Sequence, residues 1–402
     1  MDVKTAFLNG YLEEIIYMKQ SKGFIIEGQE QKVCKLQRSI YGLKQASRSW
    51  NIRFDEAIKF YGFDQSLNEH CVYKYFKNQI VVLLILYIDD ILLIGDNTEL
   101  LFEVKKWLIK QFKMKDFGEA SFILGIKLIR DHKNKILALS QAFYIEKILI
   151  RFEMQNSKKG NMPSCHGVYL SKKQCPQTKQ AVDSLIYVIL CTRPDICYVV
   201  GIVSRYQSNP GRFHWVAVKH IFKYLKRTKE NMLVYSGSDL IPKGYTDADF
   251  QSDIDESKST SDSIFILGGG AIVWRSIKQS CISDSTMKAE YVVATEAAKE
   301  AVWLRNFQIE LKVVPNFEKP LTLFCDNSEA ISNTKEVRNH KKAKHIDRKY
   351  HLIKEIVKEG KVSVQKITSQ ENIADPFTKT LPKRICQKHV QAMGLRKMPN
   401  LL

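Results

Sequence analysis

The sequence predicts a multidomain protein of the α+β and α/β type, and three observations carry that expectation. An apolar hairpin occupies residues 81–94, helix-spaced stretches follow it, and the last third alternates strand and helix signals. Val81–Leu86 is almost entirely β-branched residues or leucine, Tyr87-Ile88-Asp89-Asp90 makes a short acidic turn, and Ile91–Ile94 resumes the apolar run before Gly95. Two such runs around a turn read as a buried hairpin. The run Ile80–Ile94 is too short to span a membrane and holds two aspartates, so no membrane partner is expected. Residues 98–113 place Leu100, Leu101, Val104, Trp107, Leu108 and Phe112 at helical intervals, with Thr98 as the expected N-cap.

From about Asn156 to Gln180 the chain turns polar, with Lys158, Lys159, Gly160, Pro163 and Pro176, and reads as a linker or loop. A helical region carrying Trp215, Ile221, Phe222 and Leu225 runs to about Lys229. From Lys243 the pattern becomes strand, turn, strand, Gly268-Gly269-Gly270, strand and a helix over Ser285–Leu311. A strand Leu321–Phe324, further helices, a strand Val362–Ile367 and a last helix after Glu371 complete the order, with a break expected near residues 235–242.

Composition bounds the partners. With 45% hydrophobic and 26% charged residues the chain is globular, and its net charge of +19 is a surplus that the fold itself does not require. A polyanion, most commonly nucleic acid, is the natural partner of such a surface. From Lys335 to Lys361 ten Lys/Arg and three His face four Asp/Glu, which reads either as a phosphate-binding helix or as a solvated basic face. The nine cysteines form no C-x-x-C pair and no zinc-finger spacing, so reduced thiols and an intracellular chain, cytoplasmic or nuclear, are expected. Met1-Asp2-Val3-Lys4 opens no signal-peptide pattern.

Chemistry concentrates on carboxylates. Asp89 and Asp90 sit inside an apolar hairpin, where paired negative charge is costly without a cation, and Mg²⁺ favours such oxygen ligands. A second group is spread over the C-terminal part. Asp247 ends a short strand, Glu290 lies in the first turns of a helix, Asp326 follows the strand at Leu321, and Asp375 opens the last helix. Strand ends and helix beginnings meet at one edge of a sheet, and Ala289, Ala294, Ala297 and Ala298 would let the Glu290 helix approach closely. Four carboxylates so gathered would hold two metal ions for in-line attack on a phosphodiester.

These residues resemble a known family. Met1-Asp2-Val3-Lys4-Thr5-Ala6-Phe7-Leu8-Asn9-Gly10, Ser39-Ile40-Tyr41-Gly42-Leu43-Lys44-Gln45-Ala46 and Tyr87-Ile88-Asp89-Asp90 are similar to successive motifs of copia-type retrotransposon Pol polyproteins. Leu124-Gly125-Ile126, Arg193-Pro194-Asp195-Ile196 and Tyr224-Leu225-Lys226 continue the likeness, and Asp247-Ala248-Asp249, Lys258-Ser259-Thr260, Ala289-Glu290-Tyr291, Cys325-Asp326-Asn327 and Lys344-His345-Ile346-Asp347 extend it into RNase H. The resemblance implies a reverse transcriptase palm with the start of a thumb over residues 1–155, a helical thumb or connection over 156–240, an RNase H-like mixed sheet over 241–385 and a tail over 386–402. It implies that Asp2 and Asp89 hold the polymerase metals with Asp90 beside them. Phe7 would screen the sugar 2′ position of the incoming nucleotide, and Lys44 and Gln45 would line its pocket. Asp247, Glu290, Asp326 and Asp375 would be the metal-binding tetrad of the RNase H, loaded with Mg²⁺ or Mn²⁺. The implied partners are an RNA–DNA hybrid or template–primer, and deoxynucleotides if polymerisation is retained.

The chain departs from the family pattern at several places. It starts one residue before Asp2, so the expectation is that the fingers and their triphosphate clamp are missing, which favours hydrolysis of hybrid RNA over polymerisation. Ser47 stands where the pattern has Pro, Asp262 where it has Gly, and Lys288 where it has an acid. Pro376 follows Asp375, and the residue before a proline is biased away from helical angles. The loop Thr368–Asn372 lacks the histidine of retroviral relatives. The rival expectation is a noncatalytic nucleic-acid-binding relic.

Overall fold

The computed structural model describes every residue except 78, 79, 165–169, 175–181, 238, 313, 315, 316, 318, 336–343, 378–381 and 398–402. The chain forms two compact units, Met1–Ala120 and Ser121–Leu402. Among the described residues, no helix is long and apolar enough to cross a membrane, and each cysteine is a free thiol. Part of the basic stretch Lys335–Lys361 lies outside the described residues.

The first unit contains, in order, β1 (Asp2–Val3), β2 (Tyr17–Lys19), β3 (Val33–Lys35), α1 (Ala46–Tyr61), β4 (Asp64–Gln65), β5 (Val72–Lys77), β6 (Ile80–Tyr87), β7 (Asp90–Gly95), α2 (Thr98–Gln111) and β8 (Met114–Lys115). Its main sheet has the order β4-β5-β6-β7-β1-β8, all antiparallel. Alternation along β6 sends Val82, Leu84 and Leu86 to one face, where they meet Trp50, Phe54 and Ile58 of α1 and Val104 and Leu108 of α2. The expected hairpin is present. Its turn places Ile88 at φ 56°, a left-handed conformation that a β-branched residue adopts only under constraint. The Trp50 indole donates to the Ile88 carbonyl at 2.7 Å and supplies one such constraint. The α2 cap differs by one residue from expectation. Asn97, not Thr98, is the cap and accepts from the Leu100 N–H at 2.9 Å, which satisfies one of the unpaired donors of the first turn.

The second unit continues with β9 (Phe122–Ile123), β10 (Ile126–Asp131), β11 (Ile136–Ser140), α3 (Ala142–Arg151), α4 (Val182–Thr192), α5 (Cys197–Ser204), α6 (Arg212–Thr228) and β12 (Met232–Ser236). It ends with β13 (Lys243–Asp249), β14 (Thr260–Leu267), β15 (Gly270–Lys278), α7 (Thr286–Leu311), β16 (Leu321–Cys325), α8 (Ser328–Lys335), α9 (Lys344–Lys358), β17 (Val362–Lys366), α10 (Lys383–Ala392) and β18 (Leu395–Arg396). One sheet has the order β18-β12-β11-β10-β9, and the other β15-β14-β13-β16-β17. In the latter β15, β14 and β13 are antiparallel, whereas β13, β16 and β17 run parallel, so the C-terminal ends of β13 and β16 open on the same edge. The two sheets meet where Gly394 lies against Gly270. A Cβ on Gly394 would stand 2.6 Å from the Gly270 Cα, and its φ of +86° also favours glycine.

Helix α7 lies on the mixed sheet through Ala289, Ala294, Ala297, Ala298 and Ala301, all buried. Small side chains bring its axis close enough for Glu290 to reach the sheet edge. Ser285 caps it by accepting from the Lys288 N–H. Two motif pieces of the helical region are joined by burial. Arg193 and Asp195 form a fully buried ion pair at 2.7 Å, and the Tyr224 hydroxyl donates to Asp195 at 2.7 Å. Arg193 also donates to the Thr228 hydroxyl at 2.7 Å, so the charges are compensated on several sides, as burial requires.

Candidate active sites

In the first unit, Asp2 on β1 stands in antiparallel register with Asp90 on β7. The Val3 N–H donates to the Asp89 carbonyl at 2.8 Å, which fixes the tight turn against the short strand. All three acids are half-buried. Burial raises the Asp90 pKa above its ordinary value, and the neighbouring Asp89 and Asp2 charges add to the rise. Phe7 lies in a 3-10 turn, Ala6–Asn9, that packs on α1. Its ring stands 4.9 Å from that of Tyr41, and its carbonyl accepts from the Ser39 hydroxyl. Lys44 is exposed and Gln45 half-buried, both just ahead of α1. The structure therefore gathers Asp2, Asp89 and Asp90 at one turn and sets Phe7, Lys44 and Gln45 around the N-terminal end of α1.

In the second unit, Asp247 sits near the end of β13, and Asp326 directly follows its parallel neighbour β16. Glu290 enters from α7. One of its oxygens accepts from the Ala248 N–H at 3.0 Å, which locks the helix side chain onto the strand that carries Asp247. Asp247 and Glu290 are buried and Asp326 is half-buried. Burial lifts the Glu290 pKa well above the usual carboxylate range, and the Asp247 and Asp326 charges push it further.

Asp375 is placed in a different element from the one expected. It opens a 3-10 turn, Asp375–Phe377, and not the last helix, which begins at Lys383. Pro376 has no N–H to continue a helix and disfavours helical angles in the residue before it. The segment is anchored by the Asn372 amide, which donates to the Thr246 carbonyl at 2.9 Å in a buried bond spanning 126 residues. The turn packs against β13 and β14, and Asp375 is itself buried. Lys288 is held by Asp284 in a salt bridge one turn back.

Three neighbours escaped the sequence reading of the site. Cys325 is buried beside Glu290, with its Sγ 3.9 Å from the carboxylate. Adjacency to Asp326 was the available signal. Ser369 donates to an Asp326 oxygen at 2.6 Å. Asp262, noted only as a departure, is fully buried on β14 in register with Asp247, and neither of its oxygens has a hydrogen-bond partner. Burial raises its pKa well above the ordinary value; the Ser276 hydroxyl opposes the rise, and the Asp247 and Asp249 charges add to it. The donor set fits a divalent cation: ligand atoms of Glu290, Cys325 and Asp326 lie within 4.8 Å of one another, and carboxylate oxygens are what Mg²⁺ takes.

The same unit carries a cavity of about 770 Å³ lined by Lys159, Arg227, Arg396 and Lys397, and among the described residues that line it there is no Asp or Glu. Its cations come from the loop after α3, the end of α6 and the strand β18.

Residues 1–166 match the reverse transcriptase (RNA-dependent DNA polymerase) family. The chain is 45% identical over 408 residues to the retrovirus-related Pol polyprotein from transposon TNT 1-94 of Nicotiana tabacum, covering 98% of this chain and 30% of that protein. It is 31% identical to the Pol polyprotein from transposon RE1 of Arabidopsis thaliana, over 99% of this chain and 27% of that protein. A transposon Ty5-1 protein of Saccharomyces cerevisiae is 32% identical over 75% of this chain and is covered over 100% of its own length. The chain thus spans under a third of the two plant polyproteins it matches. Among solved structures, it is similar to a foamy viral protease-reverse transcriptase in complex with dsDNA, with a TM-score of 0.46 and 13% identity over 90% of this chain and 70% of that one. Identity at these levels, with full coverage of the yeast relative, establishes that the chain belongs to the copia-type retrotransposon Pol polyprotein family and carries its reverse transcriptase domain.

Proposed function

We propose that the second unit hydrolyses the RNA strand of an RNA–DNA hybrid, with Asp247, Glu290, Asp326 and Asp375 as the ligands of two divalent metal ions. The observation that carries this reading is the arrival of Asp247, Glu290 and Asp326 at one sheet edge, with Glu290 driven out of its usual titration range by burial and, beyond that, by the other two charges. Bound Mg²⁺ or Mn²⁺ would polarise the scissile phosphate and lower the pKa of the attacking water. The chain's own residues do the positioning. The Ala248 N–H and the Ser369 hydroxyl orient the Glu290 and Asp326 carboxylates, and Asn372 pins the segment that bears Asp375. In the first unit, Asp2, Asp89 and Asp90 would hold metal for nucleotidyl transfer, with Phe7 against the sugar and Lys44 and Gln45 lining the nucleotide pocket. Nucleic acid as partner is supported by the +19 charge and the cavity lined by Lys159, Arg227, Arg396 and Lys397. The TNT 1-94 and RE1 relatives are Pol polyproteins by name.

A second reading, a noncatalytic nucleic-acid-binding relic, has one observation in its favour: Asp262 buries an additional carboxyl directly opposite Asp247. One experiment separates the two. Purified protein is incubated with an RNA–DNA hybrid in Mg²⁺ or Mn²⁺, beside Asp326→Asn. Metal-dependent cleavage lost in the variant supports hydrolysis. Binding of the hybrid without cleavage supports the relic.

A further inference from the structure

We propose that Glu290, Cys325 and Asp326 form a binding site for a thiophilic divalent cation of the Zn²⁺ class, with Cys325 supplying a sulfur ligand and the cation occupying carboxylates otherwise available to Mg²⁺. The consequence for hydrolysis rests on the proposed function; the site itself does not.

The argument begins with β16. Its alternation buries Leu321, Leu323 and Cys325 on one face of the sheet, the face on which α7 lies. Cys325 is the last residue of that row and so comes to the edge where Glu290 enters. One Glu290 oxygen is committed to the Ala248 N–H at 3.0 Å, and the other faces the Cys325 sulfur at 3.9 Å. The Asn327 N–H approaches the same sulfur at 3.5 Å, a donor suited to a sulfur that carries negative charge. Asp326 follows at once, with one of its oxygens held by Ser369.

Distances test the fit. Tetrahedral Zn²⁺ with ligands at roughly 2.0–2.3 Å has ligand atoms about 3.3–3.8 Å apart. The three ligand atoms here lie within 4.8 Å of one another, and the sulfur–oxygen pair is at 3.9 Å. Closure by up to about 1.5 Å, within side-chain rotation, completes three corners of the tetrahedron. Hard Mg²⁺ gains nothing from sulfur, whereas Zn²⁺ and Cd²⁺ do, so the thiol discriminates between the two classes of cation. The Cys325 thiol donates toward the Glu290 carboxylate. Binding forms the metal–sulfur bond, breaks the S–H bond and delivers the proton to solvent.

The test uses the full chain with Cd²⁺ and Zn²⁺ as probes. Cd²⁺ should add a sulfur-to-metal charge-transfer band in the near ultraviolet that is larger than in Cys325→Ser. Zn²⁺ affinity by calorimetry should fall roughly tenfold or more in that variant, since losing a direct ligand costs at least what losing an outer-shell partner does. Mg²⁺ affinity should be unchanged. Cys325→Ala repeats the comparison if the serine is not tolerated in the buried strand, with circular dichroism confirming the fold. Identical Cd²⁺ spectra and Zn²⁺ affinities in wild type and both variants overturn the proposal. Where hybrid cleavage is observed, Zn²⁺ should inhibit it in competition with Mg²⁺, and less so in Cys325→Ser. A band lost in Cys325→Ser without any cleavage by wild type leaves the metal site standing and removes the hydrolytic reading. Cleavage with an unchanged band does the reverse.

Discussion

Asp262 lies fully buried opposite Asp247, and neither of its oxygens has a hydrogen-bond partner. Its folded pKa is raised above the ordinary carboxylate value, so the folded state keeps a proton that the unfolded chain releases. Stability therefore falls as pH rises from the ordinary carboxylate value through the raised one, and the loss persists above it. Asp262→Ala should remove that dependence. In urea titrations it should be nearly neutral at about pH 4 and stabilising by about 1–3 kcal/mol near neutrality, the usual penalty of an unsatisfied buried group. An unchanged difference across that pH range would show the carboxyl to be solvated. Asp326→Asn acts in the other direction. Mg²⁺ should raise the melting temperature of the wild type by binding only the folded state, and the variant should lose most of that rise. Its hybrid cleavage should drop roughly a hundredfold or more, the upper end of what weaker perturbations of a metal site cause. A melting temperature indifferent to divalent metal in both proteins would favour the binding relic.

At the scale of elements, the two informative cases are the α5–α6 region and α7. Arg193 precedes α5, Tyr224 belongs to α6, and Asp195 ties them together inside the core. Removing one charge strands the other. Arg193→Met should cost about 3–5 kcal/mol, whereas Arg193→Met combined with Asp195→Leu should recover most of the loss. Chemical denaturation of the single and double variants checks this, and additive losses would show that the pair is not mutually compensating. On α7, Ala298 is fully buried. Ala298→Leu should cost about 1–3 kcal/mol by overpacking. Because the shift would carry Glu290 away from Ala248, hybrid cleavage should fall further than stability alone explains.

For the whole molecule, the net charge of +19 and the cavity lined by Lys159, Arg227, Arg396 and Lys397 predict electrostatic, sequence-tolerant binding of nucleic acid. Affinity for a labelled hybrid should fall linearly on a log–log plot against salt, because each phosphate neutralised releases counterions. Arg227→Ala with Lys397→Ala should lower the slope by about 2 if both contact phosphate. An unchanged slope would place the contacts elsewhere in the chain. Neither residue belongs to the Glu290, Cys325 and Asp326 group, so hybrid cleavage at low salt should survive.

The sequence by itself determined what depends on near neighbours. The apolar hairpin around Asp89–Asp90, the alanine-lined helix that bears Glu290, the order of strands after Lys243 and the family motifs were all legible there, because pattern and local propensity decide them. The cap of α2 was misjudged by one residue, since Asn97 and Thr98 both suit that role and only the backbone path chooses. Asp375 was assigned to a helix that does not start there: Pro376 disfavours helical angles at Asp375, and the anchor that fixes the segment, the Thr246 carbonyl, lies 126 residues from Asn372. Tertiary structure alone decided that Cys325 faces Glu290, that Asp262 loses its solvent beside Asp247, and that Arg193, Asp195 and Tyr224 share one buried network. Each of these depends on which strands pair and which faces close. Desolvation and cross-strand register are properties of that assembled packing, set by residues scores of positions apart, and no local pattern encodes them.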